Sequence, residues 1–266
     1  MRLTPTTPPR PLRWLGWPLT ALLLGACTST QPVADEHLAA DELKIESIRE
    51  RHEFAAGIEK LVVINEYGEI NVRSMKSMAV GVQASAQIYG ADGPRPRIEF
   101  RQEGPIATLT VIYDDTRARY RGRPGRLDLA VFVPTLKFLD LQARDDRIQA
   151  KRYAGNLTAR TKAGQIQAGS YGRLDLRSDS GEIRAMLLAP AAAQDSHVVS
   201  SALVEVLFPA RPELALDVRS AGIIENAVQR ADQDPDPHRL WSPGDSSAGS
   251  LQVVAGEAYL RPLHLE

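Results

Sequence analysis

The chain has 266 residues, of which 43% are hydrophobic and 24% charged, with a formal net charge of −1. That composition excludes a wholly disordered polymer, and the length allows one large domain or two small ones. The near-neutral balance excludes a general nucleic-acid binder, and a single cysteine excludes both a disulfide framework and a thiolate metal site.

Arg2, Arg10 and Arg13 form a basic leader, followed by an apolar run from Trp14 to Ala26. Thirteen residues of helix reach about 20 Å, short of a hydrocarbon core of about 30 Å, so the run fits a signal-peptide core and not a membrane span. It ends in Leu24-Gly25-Ala26-Cys27, which resembles the lipobox of bacterial lipoproteins. That resemblance implies a diacylglycerol thioether on Cys27, cleavage before it, and a stable anchor of several acyl chains. An ordinary signal peptide with an incidental cysteine is the alternative. In an oxidising compartment a lone thiol at this position makes sense if lipid blocks it. Thr28, and not Asp, follows the cysteine, which resembles the pattern released to the outer membrane of Gram-negative cells. Loss of residues 1–26 removes three arginines and takes the formal charge to −4.

Residues 27–47 read as the lipidated N-terminus and a tether, rich in Ala, Asp and Glu after Thr28-Ser29-Thr30-Gln31-Pro32. From residue 48 onward alternation dominates. Leu61 and Val63, Ile70 and Val72, Val80 to Ala84, Leu109 and Val111, and Leu127 to Val133 all step by two, as half-buried strands do. The last of these runs stops at Pro134, which cannot donate to a ladder.

The middle of the chain holds a repeat. Leu139-Asp140-Leu141, Leu157-Thr158-Ala159 and Leu174-Asp175-Leu176 begin units spaced 18 and 17 residues apart. In each, an isoleucine (Ile148, Ile166 or Ile183) follows its leucine by nine residues. A turn with Gly164 or Gly181 separates the two short strands, and Tyr67-Gly68-Glu69-Ile70 has the same form. A sharp bend with a positive φ would call for glycine there. A second bend falls at Gly155 and at Tyr171-Gly172. Such units predict an all-β, single-domain β-solenoid or flattened β-roll with coils of about 17–18 residues, each burying the apolar face of the next. A β-sandwich of evenly spaced strands is the alternative. Looser copies occur at Leu216 to Ile224 and Leu251 to Gly256, while the Pro, Asp and Ser content of residues 228–249 reads as a long surface loop.

Taken in order, these motifs resemble the bacterial putative-adhesin family, a β-strand-repeat domain of unknown function. The resemblance runs from Phe54, Leu61 and Gly68-Glu69-Ile70 through Leu127 to Pro134 and into the glycine-bearing coils, over about residues 48–260. It implies one β-repeat domain, residues 48–266, on an exported or tethered protein. It supplies no catalytic residues.

Candidate chemistry is sparse. Gly244-Asp245-Ser246 superficially resembles a protease nucleophile segment, yet Ser247 stands where a second glycine belongs, so a polar turn is the better reading. Asp232, Asp234 and Asp236 alternate like the start of a calcium loop, but Pro237 and Pro243 occupy its required Gly and Glu positions. His37, His52, His197, His238 and His264 lack metal-ligand spacing. Asp195-Ser196-His197 would point alternate ways on a strand. Arg117, Arg119, Arg121 and Arg123 step by two and form a candidate anion-binding face, the alternative being a solvated hairpin tip beside Asp114 and Asp115. The expectation is therefore a membrane-tethered envelope lipoprotein, addressed to the outer membrane, with a non-enzymatic scaffold or binding domain and no cofactor, metal or nucleic acid. Its expected partners are the membrane, through the lipid on Cys27, and an anionic envelope component or another envelope protein. An envelope hydrolase with a site assembled from distant residues, and a sensor of anionic envelope components through the arginine hairpin, are the competing classes.

Overall fold

The computed structural model describes residues 43–76, 79–89, 95–113, 125–189, 195–208, 214–227, 232–233, 236–242, 244 and 249–263. The alternating runs all become strands. In chain order they are β1 (Leu43–Glu53), β2 (Lys60–Asn65), β3 (Ile70–Ser74), β4 (Ala79–Tyr89), β5 (Arg97–Glu103), β6 (Ile106–Ile112) and β7 (Arg126–Val133). The repeat supplies β8 (Phe138–Ala143), β9 (Ile148–Tyr153), β10 (Asn156–Thr161), β11 (Ile166–Ser170), β12 (Leu174–Ser178), β13 (Ile183–Leu187), β14 (Asp195–Ser200) and β15 (Leu203–Phe208). Then follow β16 (Ala215–Ser220), β17 (Ile224–Asn226), β18 (Asp232–Gln233), β19 (Arg239–Ser242), β20 (Ser250–Ala255) and β21 (Glu257–Pro262).

These strands make two mixed sheets. One has ten strands in the order β1-β4-β7-β3-β9-β11-β13-β15-β21-β17, and the other has eleven in the order β18-β19-β16-β20-β14-β12-β10-β8-β2-β6-β5. The architecture is all-β, as expected, and from β8 to β15 consecutive strands fall in opposite sheets. Each strand of that run pairs in parallel with the strand one repeat away, so equivalent residues meet. Leu157 is the register partner of both Leu139 and Leu174, and Ile166 of both Ile148 and Ile183. Those residues are buried together with the second row Leu141, Ala159, Leu176 and Val198. Burying one such leucine or isoleucine stabilises by about 1.5–3 kcal/mol, and the repeat turns that gain into continuous rows.

The corners explain the glycines differently from the sequence expectation. Gly68 does hold a φ of 142°. Gly164 and Gly181 do not lie among the positive-φ glycines; contact with the neighbouring unit decides them. A Cβ on Gly181 would sit 2.1 Å from the carbonyl oxygen of Gly164, and one on Gly164 would sit 1.9 Å from that of Asp146. The stacked corners leave no room for a methyl group. Beside them an inward row of small polar residues binds the turns. Thr161 Oγ1 donates to the Gly164 carbonyl at 2.7 Å, the Gly181 amide donates to Ser178 Oγ at 2.8 Å, and Ser200 Oγ donates to the Gly181 carbonyl at 2.6 Å.

At both ends spatial order departs from chain order. The pair β2–β3 lies inside β6–β7, so that Leu61 meets Ala107 on one side and Leu139, far along the chain, on the other. Likewise β20–β21 lies between β14–β15 and β16–β17. Antiparallel β4 and β1 extend the first sheet beyond β7, and β5 extends the second beyond β6. Side chains join these two edges: the His52 ring stacks on Phe100 at 4.6 Å, with Phe54 5.9 Å from the same ring.

Two sequence expectations change here. The stretch 228–249 is not wholly loop: Arg239–Ser242 pairs antiparallel with β16, because Leu240 turns inward and is 3% exposed, and Asp232–Gln233 pairs with β19 in turn. Strand β1 also begins at Leu43, ahead of the start at residue 48 read from the sequence, and Ile48 packs against the core.

Candidate functional site

A buried polar cluster lies where β2–β3 threads inside β6–β7. Asn65, fully buried, donates through Nδ2 to the Leu127 carbonyl at 2.7 Å. The Tyr113 hydroxyl contacts Asn65 Oδ1 and the Tyr67 carbonyl, and burial pushes its pKa well above the usual phenol value against the pull of those backbone contacts. Asp146 accepts from the Gly68 amide at 3.0 Å and from Arg126 at 2.6 Å, while Arg126 also donates to Asp128 at 2.9 Å. Burial opposes the Arg126 charge, yet the carboxylates of Asp128, Asp146 and Glu69 raise its pKa. Apart from the Arg126–Asp128 bond within β7, these contacts tie one strand pair to another. Among the described residues no buried side-chain nitrogen or oxygen lacks a hydrogen-bond partner. A buried network satisfied in this way fixes a register.

The residues singled out from the sequence scatter. Ser196 points inward and accepts from the Leu174 amide at 3.1 Å, whereas Asp195 and His197 lie on the outer face, where Asp195 accepts from Ser250 and His197 meets Gln252 at 3.2 Å. They do not converge. His52 is stacked on Phe100, and His238 Nδ1 lies 3.1 Å from the Gly222 carbonyl oxygen. Among the described residues no group of three or more His, Cys, Asp or Glu could hold a metal ion. Cys27, Asp234, Ser246 and the arginines Arg117, Arg119, Arg121 and Arg123 lie outside the described residues.

What remains is surface, and its electrostatics differ by region. On the outer face of the second sheet three aspartates have a cation: Lys60 holds Asp140 at 3.2 Å, Arg177 holds Asp175 at 3.1 Å and Arg219 holds Asp217 at 3.1 Å. On the first sheet, Glu205 engages Arg184 at 3.0 Å and Arg261 at 3.6 Å, and amides run across the strands from Asn71 through Gln149 to Gln167. Further toward β1 that balance stops. Arg51, Gly81, Phe132 and Arg73 form one row of register partners across four strands. A Cβ on Gly81 would lie in ordinary contact with Phe132, 3.5 Å from its Cβ, and Arg73 lies 6.0 Å from the centre of the Phe132 ring. A groove of about 270 Å³ opens there, its lining including Arg49, Glu50, Arg51, Met75, Gly81 and Phe132.

The sequence reading missed this row. A signal was present, since Arg49 and Arg51 step by two from Leu43 and Ile45, but the strand carries too few inward apolar residues to stand out from a tether.

No family model matches the chain, and neither does any curated protein sequence. Among solved structures it is similar to a chain from Clostridium sporogenes described as a putative cell adhesion protein, with 12% identity and a TM-score of 0.48 over 82% of this chain and 99% of that one. It is also similar to a putative adhesin from Bacteroides fragilis, at 12% identity and a TM-score of 0.30 over 82% and 97% of the two chains. A third, from Parabacteroides distasonis, is described as a putative lipid binding protein and is 9% identical, with a TM-score of 0.24 over 82% and 96%. Both of these first two descriptions name adhesion, as does the family that the sequence motifs resemble.

Proposed function

We propose that this chain is a lipoprotein of the bacterial cell envelope, anchored through Cys27 at the outer membrane, whose domain is a flattened β-solenoid serving as a non-enzymatic scaffold or binding surface. The tether rests on the register of basic leader, short apolar run and Leu24-Gly25-Ala26-Cys27. One observation carries the scaffold reading: the buried polar side chains, from Asn65 and Asp146 to Thr161, Ser178 and Ser200, are engaged with backbone or side chains of neighbouring strands and turns. That leaves the outer faces as the place for recognition. Replacing Cys27 tests the anchor: Cys27→Ser, exported behind a leader that is cleaved independently of that cysteine, should move the protein from the membrane to the soluble fraction, and unchanged retention in membranes would refute it. For the scaffold, steady substrate turnover by the purified chain against a panel of envelope esters, glycans and peptides would be the overturning result.

A further inference from the structure

From the basic end of the first sheet we infer a membrane-facing side: the row Arg51–Gly81–Phe132–Arg73, with Arg49 beside it and Leu43 and Ile45 above it, lies against anionic phospholipid headgroups. This rests on the tethered reading, because a tether delivers that face to a bilayer.

The geometry begins with strand alternation. In β4 the even-numbered positions Val80, Val82, Ala84, Ala86 and Ile88 are buried, so the odd-numbered ones face out. Their register partners on β1 are Leu43, Ile45, Ser47, Arg49, Arg51 and Glu53, which therefore share that outer face. In β7 Phe132 sits outward between the inward Val131 and Val133, and Arg73 is its partner on β3. Lys151 follows Gln149, the partner of Asn71, by two residues and faces the same way. Across the row, three strand spacings place Arg51 and Arg73 about 14 Å apart, wide enough for more than one headgroup.

Charge supports the same occupant. Arg49, Arg73 and Lys151 are exposed and have no ion-pair partner among the described residues, while Arg51 holds only the neighbouring Glu53 at 2.8 Å. Of the nearby acids, Asp128 is paired with Arg126 at 2.9 Å and Glu69 with Arg147 at 2.9 Å, while Glu50, an acid on the groove wall, meets the His52 ring at 2.9 Å. Apolar groups complete the pattern of an interfacial surface. Ile45 is 66% exposed and Leu43 is 41% exposed on that face, and the Phe132 ring floors the groove. Residues 28–42 join Cys27 to Leu43, and such a length of chain reaches about 50 Å at most. A lipid on Cys27 would hold β1 within that distance of the bilayer.

The test uses the mature chain, residues 27–266 carrying Cys27→Ser, so that neither leader nor acyl group contributes, and vesicles of phosphatidylcholine with or without phosphatidylglycerol. Binding is expected to the anionic vesicles alone and to fall as salt is raised. Arg49→Gln, Arg51→Gln and Arg73→Gln together should weaken it about 100-fold, at roughly one basic residue's contribution each. Ile45→Asp alone should weaken it about tenfold. A circular-dichroism melt checks that each variant folds. Equal binding to neutral vesicles, or an unchanged triple variant that is folded, overturns the inference. So does loss of binding only when Arg117, Arg119, Arg121 and Arg123 are replaced, which would give the contact to that segment. Mass spectrometry of Cys27 in the native protein separates the two readings. Acylation with no anionic-vesicle binding by the Cys27→Ser chain sinks the inference alone, and an unmodified Cys27 with binding intact sinks the tether alone.

Discussion

Between β8 and β15 each new strand pair docks beside the one made just before it, whereas at both ends of the molecule a pair is inserted between two others. The middle obeys the logic of a linear repeat, in which a unit touches only its neighbours in the chain. The ends depend on contacts made across long stretches of sequence, such as Leu61 with Leu139 and Ser196 with Leu251. The middle is therefore held by repeated small contacts and tight corners, and the ends by dedicated polar pins such as Asn65, Tyr113 and Asp146.

The sharpest way to break that contrast is to remove β20–β21. Stopping the chain after residue 248 takes strands from inside both sheets, and we expect the cooperative thermal transition to disappear. A truncated chain that still melts in one sharp step would mean that β14–β15 and β16–β17 close on each other. Next in size, Gly181→Ala drives a methyl into the Gly164 carbonyl and should cost about 3 kcal/mol or more in urea unfolding. Gly57→Ala, with open space around it but a φ of 82°, should cost only about 1–2 kcal/mol. Equal losses would show that backbone conformation, and not stacking, governs the corners. At the end of the molecule, Tyr113→Phe removes the hydroxyl that contacts Asn65 and the Tyr67 carbonyl, and should cost about 1–3 kcal/mol by the same assay.

The smallest effect is a pH dependence. Tyr153 bridges the amide and carbonyl of Leu136, and burial pushes its pKa up to about 12. Below pH 10 both folded and unfolded chains hold the phenol proton and the contribution is intact. From pH 10 upward the unfolded chain loses its proton first, so stability falls as pH approaches 12. Tyr153→Phe should be less stable at neutral pH yet show a shallower decline over that range. Parallel declines for the two proteins would count against it.

The same contrast explains what could be read in advance. The units led by Leu139, Leu157 and Leu174 announced themselves because each pairs with a copy of itself, so that register and repeat coincide. Leu216 and Leu251 were recognisable as copies, but nothing in their letters says that the later one goes inside the earlier. Leu240 was hidden among Asp, Pro and Ser, since one inward residue makes no period. The basic row was illegible for a related reason. Arg51, Gly81, Phe132 and Arg73 come from four strands and meet through two antiparallel pairings and one parallel pairing that local pattern does not specify.

The interior position of β20–β21 also sets a clock. A chain that emerges from its N-terminus makes β16 and β17 before residues 250–262 exist, so those strands must wait without their final neighbours. Neither sheet becomes continuous until the closing pair has slotted between its elders. Chains cut short before that point carry open edges in the middle of the molecule, where proteases and aggregation find them. The fold thus distinguishes a product that reaches its last strands from one that does not.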